Sequence, residues 1–220
     1  MTTWQALASE SWLLYSPIGL RLLDDLTGTA PRYPFEAKLE LEHSPGVWRS
    51  VKRKAVFTPS GILSYPGLGR SASVAQQPVV RHRVRLKSTF YRPSYLATLD
   101  GIEFDVHPYD EQNPPAVIPS LPQDTPLLPS TSYPFPGHIR VLRGRVLDAN
   151  ANAVAHVQIS LGNQEHTLSD ERGEFALTLR WPAINAAITV DADDHRGNRN
   201  AQINLQLPGD LSHGHTITVN

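Results

Sequence analysis

Eight prolines fall within the 25 residues from Gln112 to Pro136 (QNPPAVIPSLPQDTPLLPSTSYPFP), and no other feature restricts the fold of this chain as much. Each proline fixes its own φ, lacks an N–H donor and biases the residue before it toward extended backbone. Helix is excluded there, and a paired central strand is disfavoured because the ladder loses a donor at every proline. The stretch predicts a semi-rigid, extended linker over residues 112–137, dividing the 220 residues into two parts of ordinary domain size. Val117, Ile118, Leu121, Leu127 and Leu128 are more apolar than a free spacer needs, so the linker can dock along a domain surface.

Both flanking regions read as short strands between turns. In the first, residues 19–24, 35–42, 47–51, 54–57, 62–65, 81–90 and 102–107 are strand candidates; Phe35, Ala37, Leu39 and Leu41 alternate inward along one of them. Met1–Leu14 can hold a short helix through Trp4, Leu7 and Trp12. In the second region, strands are expected at 139–147, 155–161, 174–179, 187–192, 201–207 and 216–219, with polar turns at 163–167, 169–173 and 193–200. The fold class is therefore all-β: two β-sandwich domains of transthyretin/Ig-like type joined by the Pro-rich linker. The halves also share an order of features that suggests an internal repeat. GLRLLDDLTGTAP matches RGRVLDANANAVA, FTPSGILSYPGL matches LSDERGEFALTL, and RHRVRLKSTF matches AAITVDADD.

Composition removes several function classes. The chain has no cysteine, which excludes disulfides, thiolate catalysis and zinc-thiolate sites. Its net charge is −1, so overall electrostatics predict no nucleic-acid partner. Met1–Tyr15 lacks a basic start and a long apolar core, with Glu10 interrupting it, so no signal peptide is read. No run reaches the ~20 apolar residues of a membrane span. A cytoplasmic location is expected, or release as part of an assembled particle.

The second region, from Arg143 to Asn220, resembles carboxypeptidase regulatory-like domains, which share the transthyretin-like sandwich. The resemblance rests on GRVLDANANAVAHVQISL, TLSDERGEFALTL and AITVDAD. Ser169-Asp170-Glu171-Arg172-Gly173-Glu174-Phe175 carries the family's Asp-x-x-Gly-x-Phe turn, whereas Asn152-Ala153-Val154 departs from its usual Gly-x-Pro. The resemblance implies a non-catalytic module over 138–220. Residues 1–111 form the other domain, a β-sandwich-like unit. That half is similar to accessory proteins of contractile, phage-tail-like injection systems, on FTPSGILSYPGLGR and DGIEFDVHPYD. Physically, Gly173 can take a positive φ, Asp170 can accept backbone N–H groups two residues on, and Phe175 can anchor a core.

Few residues suggest chemistry. GLGRS at 67–71 lacks the Lys-Ser/Thr ending of a phosphate loop and reads as a turn. His213 and His215 can share a strand face, but no third ligand is apparent, so no metal and no cofactor are assigned. Asp191, Asp193 and Asp194 before His195 and Gly197 read as a solvated turn, and Glu36, Glu40 and Glu42 as a solvated strand face. Tyr65, Tyr91, Tyr95 and Trp48 fit a core better than an interface. Arg81, Arg83, Arg85 and Lys87 stand at period two and make one face wholly basic, with Lys52, Arg53 and Lys54 adding to it. This face reads first as a solvated edge that discourages pairing, and functionally as a contact for an acidic protein surface. The expected role is a non-enzymatic structural or adaptor subunit whose partners are other subunits of an assembly, a second copy of the chain among them. A sandwich module binding carbohydrate or another small ligand is the alternative.

Overall fold

The computed structural model describes residues 14–71 and 77–220; the helix expected within Met1–Leu14 falls almost wholly outside them. The described chain is all-β. Sixteen strands form four sheets, packed as two sandwiches, and no described helix is long and apolar enough to cross a membrane.

In the first sandwich, one sheet has the order β4-β5-β1-β9-β7, built from β1 (Gly19–Asp24), β4 (Val56–Phe57), β5 (Ile62–Ser64), β7 (Tyr91–Pro93) and β9 (Gln123–Pro129). The facing sheet is β3-β2-β6-β8, from β2 (Glu36–Ser44), β3 (Val47–Val51), β6 (Val80–Lys87) and β8 (Ile102–Val106). The core between them holds Leu20, Leu22, Leu39, Leu63, Tyr65, Val84 and Leu127. The second sandwich pairs β13-β10-β16 against β12-β11-β14-β15. Its strands are β10 (Val141–Asp148), β11 (Gln158–Leu161), β12 (Glu165–Leu168), β13 (Glu174–Thr178), β14 (Ala187–Asp194), β15 (Arg199–Gln206) and β16 (His215–Val219).

The Pro-rich segment does not stay outside the domains. Its β9 is an interior strand, parallel to β1 and antiparallel to β7. The prolines are tolerated because each has an in-register neighbour on one side only. Pro126 lies opposite Leu23 but beyond the last residue of β7, and Pro129 lies opposite Tyr91 but beyond the end of β1. Leu127 and Leu128 are buried, while Val117, Ile118 and Leu121 remain exposed. Other differences are local. Residues 165–167, expected within the turn at 163–167, join Leu168 in β12, and the polar turn at 193–200 shrinks to the four residues between β14 and β15.

The two sandwiches repeat one topology. β1 pairs antiparallel with β5 and parallel with β9; β10 pairs antiparallel with β13 and parallel with β16. The registers correspond: Leu20 opposes Leu63 and Gln123, as Gly144 opposes Phe175 and His215. The second sheets correspond as well, β3-β2-β6-β8 with β12-β11-β14-β15. Turn chemistry repeats too. The Asp24 carboxylate accepts Leu26 N–H, and that of Asp148 accepts Asn150 N–H. Thr58 Oγ1 accepts Ile62 N–H, and Asp170 Oδ1 accepts Glu174 N–H, across Gly61 at φ +79° and Gly173 at φ +76°. The middle pair of matched strings is thus offset by one residue, because the structure aligns Gly61 with Gly173. Asp170, Gly173 and buried Phe175 behave as their turn motif predicts. β9 is the counterpart of β16, which is why the linker had to supply a strand: without it β1 lacks its parallel neighbour and β7 has no strand to pair with.

Candidate functional site

The basic strand β6 is not an edge. It lies between β2 and β8, so its charges cannot serve to block edge pairing. Arg81, Arg83, Arg85 and Lys87 do share the outer face, with His82, Val84 and Leu86 buried beneath. Cross-strand register then brings acids to both sides. Lys87, Arg85 and Arg83 oppose Glu36, Lys38 and Glu40 on β2; Arg83 and Arg81 oppose Glu103 and Asp105 on β8. Arg83 pairs with Glu40 at 2.5 Å, both side chains largely covered (14% and 13% exposed), and its guanidinium stacks 4.4 Å from the Trp48 ring. Arg85 also reaches Glu40, and Arg81 meets Glu103. With Glu42 at the next outward position of β2, the face carries five basic and five acidic residues, a mosaic and not a positive patch. Of the glutamates read from sequence as a solvated face, Glu40 is the partner of Arg83 and Arg85, while Glu36 meets Lys38 and Glu42 accepts Gly46 N–H. Lys52 and Lys54 are exposed, and Arg53 turns away to donate to Pro66 O.

At its Arg85–Lys87 end, this face opens onto a cleft of about 570 Å³ between the sandwiches. Lys38, Arg85, Lys87 and Arg92 line it from the first domain, His156 and Glu171 from the second. Arg92 grips Glu171 through two parallel hydrogen bonds of 2.7 Å, and this holds the Glu171 carboxyl down at about 2. Arg92 Nε and His156 Nδ1 are buried without a hydrogen-bond partner. His156 also sits in the left-handed region at φ +64°, an uncommon backbone for a bulky residue and of the kind that collects at binding sites. Burial, with Arg196 and Arg92 nearby, pushes the His156 pKa down, which favours the neutral ring.

The walls of this cleft are the domain junction, where further arginines act as clamps. Arg196, in the β14–β15 turn, donates to Leu96 O and Leu99 O and pairs with Asp100. All three lie in residues 88–101, an insertion between β6 and β8 that also contains β7 and the short 3₁₀ turn Ser94–Ala97. The second repeat has only a tight turn there, closed by Asp194, which is buried against Arg199 and accepts Gly197 N–H instead of standing in solvent. Arg180 bridges buried Glu165 to Asp25 O, and Arg143 donates to Thr131 O. Ala97, Leu128 and Leu168 form a small apolar cluster under these contacts. The sequence offered no sign of this junction beyond the apolar excess in the linker, because each arginine acts on a carbonyl or carboxylate far away in the chain.

On the second domain, residues 181–184 expose Trp181 (67%) and Ile184 (66%). The loop is held from behind by Arg140, which donates to Pro182 O and Ala183 O. Tyr65 and Tyr91, by contrast, are core residues, and the Tyr95 hydroxyl oxygen accepts Leu86 N–H.

No protein-family model and no curated protein matches the chain. Among solved structures it is similar to the Bacillus anthracis TIE protein (11% identity, TM-score 0.29, covering 94% of this chain and 33% of that one). It is also similar to a Streptococcal ancillary pilin (11% identity, TM-score 0.25, covering 92% and 67%). This chain spans about a third of the length of the first.

Proposed function

We propose that this protein is a non-enzymatic structural or adaptor subunit of a larger protein assembly, with a contractile phage-tail-like injection system as the setting the first half's resemblance suggests. The observation that carries the reading is the bridged junction between the sandwiches. Arg92, Arg180 and Arg196 fix two sandwiches at one relative orientation, and β9 ties the connecting chain into a sheet. A body of that kind transmits geometry between two binding surfaces, which a freely hinged pair cannot do. The second domain would serve as a carboxypeptidase regulatory-like attachment module, the role its Asp170–Phe175 turn motif suggests. Trp181 and Ile184 on their braced loop supply the apolar anchor for a protein partner, since an exposed tryptophan on a pre-ordered loop binds with little ordering cost. The charge mosaic over β2, β6 and β8, with Arg81, Arg83, Arg85 and Lys87 at its centre, would add specificity through a partner of matching pattern.

The test is the native size of the protein in lysate of its own host, with mass spectrometry of co-migrating chains. Migration well above 24.3 kDa with tube, sheath or baseplate-type proteins, lost in Trp181→Ser/Ile184→Ser, supports the reading. Migration as a free monomer removes it. The cleft favours a second reading, a module that binds a small anionic ligand such as an acidic sugar; a thermal-shift screen of such compounds, compared with Lys87→Ala, decides for or against it.

A further inference from the structure

We propose that Asp210, His213 and His215 form a binding site for a divalent first-row transition-metal ion of the zinc type. The three residues come together for local reasons. Gly209–Ser212 is a 3₁₀ turn that carries Asp210, and His213 caps its end three residues further on, which brings the two side chains to one side of the turn. His213 itself is extended, at φ −141° and ψ 163°, and leads into β16. Side chains two apart on extended backbone share a side, so His215 falls beside His213. The imidazole centroids are 4.5 Å apart, and His213 Nε2 is 3.8 Å from Asp210 Oδ1. One ligand atom from each of the three residues lies within 4.8 Å of the others.

The supporting contacts are those a metal site uses. His215 is buried and donates from Nε2 to Asp210 O at 2.6 Å, which orients the ring and leaves Nδ1 with the lone pair. Ligand histidines are commonly held this way, with the second ring nitrogen bound to a carbonyl. The other Asp210 oxygen, Oδ2, accepts Gln206 N–H and so turns Oδ1 toward the histidines. A tetrahedral ion with bonds of about 2.0–2.2 Å needs its ligand atoms closer together than they stand here. His213 is 58% exposed and free to swing in, while the two better-anchored ligands stay in place. Two imidazoles and one carboxylate suit zinc, cobalt, nickel or copper over magnesium or calcium. The chain has no cysteine to compete for these ions.

Isothermal titration of the full chain with Zn²⁺, paired with thermal unfolding, tests the proposal. One saturable site is expected, with a rise in melting temperature reversed by EDTA and a visible tetrahedral spectrum with Co²⁺. His213→Ala should weaken Zn²⁺ binding by at least ~10-fold, the lower end for loss of supporting contacts in metal sites. Without metal, the melting temperature of that variant should be unchanged, since His213 is exposed. Asp210→Asn should weaken binding too, and His138→Ala, remote in sequence and exposed, should not. Absence of saturable Zn²⁺ binding, or equal affinity in His213→Ala, overturns the proposal.

Discussion

Gly61 and Gly173 occupy the same turn of the two repeats at nearly the same φ, so replacing each with alanine compares one backbone strain in two surroundings. An L-residue in the left-handed region costs about 1–2 kcal/mol, and both variants share that loss. At Gly61 the added methyl would meet only the Ala30 side chain at 3.4 Å, an ordinary contact. At Gly173 it would lie 2.4 Å from Val146 O, the β10 carbonyl that accepts Val154 N–H. That carbonyl cannot move without shifting β10, the central strand of its sheet, and such overpacking adds about 1–3 kcal/mol. Gly61→Ala should therefore lose about 1–2 kcal/mol and Gly173→Ala about 2–5 kcal/mol. Urea unfolding followed by far-ultraviolet circular dichroism and tryptophan fluorescence measures both. Equal losses would refute the reasoning, since they would mean that the Val146 contact carries no weight.

Three further outcomes follow from buried charges and the junction. Arg180→Met strips buried Glu165 (1% exposed) of its cation and should cost about 3–5 kcal/mol; adding Glu165→Gln, whose oxygen still accepts the residue-180 N–H and whose amide nitrogen donates to the Thr178 hydroxyl, should recover much of it, and a loss under about 1 kcal/mol in urea melts would contradict the assignment. Asp24 is fully buried, and its Oδ2 accepts the hydroxyls of Tyr91 and Tyr133 at 2.9 Å each. Tyr91→Phe and Tyr133→Phe should each cost about 1.5–3 kcal/mol, and the double variant more than their sum, read by a double-mutant cycle. Burial and the Asp24 bond push the Tyr91 hydroxyl up to about 12, so these bonds should persist through moderately alkaline pH. Glu171 works in the opposite direction: its carboxyl lies at about 2, below its ordinary 4.5, so its contribution is complete above about pH 4.5 and lost as pH falls toward 2. Glu171 is 70% exposed, so solvent screening keeps the effect small; Arg92→Ala should flatten this acid limb in a stability-versus-pH series.

The sequence by itself determined the strand content and most strand positions and suggested the repeat, because period-two alternation and Gly- or Asp-based turns are local signals, while the shared sheet order and register that establish the repeat came from the structure. Asp170, Gly173 and Phe175 could be placed before any contact was known, since their roles depend on neighbours within a few residues. The face that Arg81, Arg83, Arg85 and Lys87 share was equally legible, because alternation on a strand fixes it. What surrounds that face was decided by tertiary pairing. Only the register of β2 and β8 against β6 turns a basic stripe into a mosaic, and the glutamates involved lie up to 51 residues away in sequence, from Glu36 to Lys87. The proline-rich segment shows the same limit. Its composition argues locally for a spacer, but the first sandwich lacks a strand without it, and the gain from burying Leu127 and Leu128 outweighs the missing donors. The arginine clamps and the cleft they frame came from the tertiary structure alone, because each depends on how distant turns and strands converge in space, whereas His213 and His215 were legible as a pair and only the 3₁₀ turn at Gly209–Ser212 set Asp210 beside them.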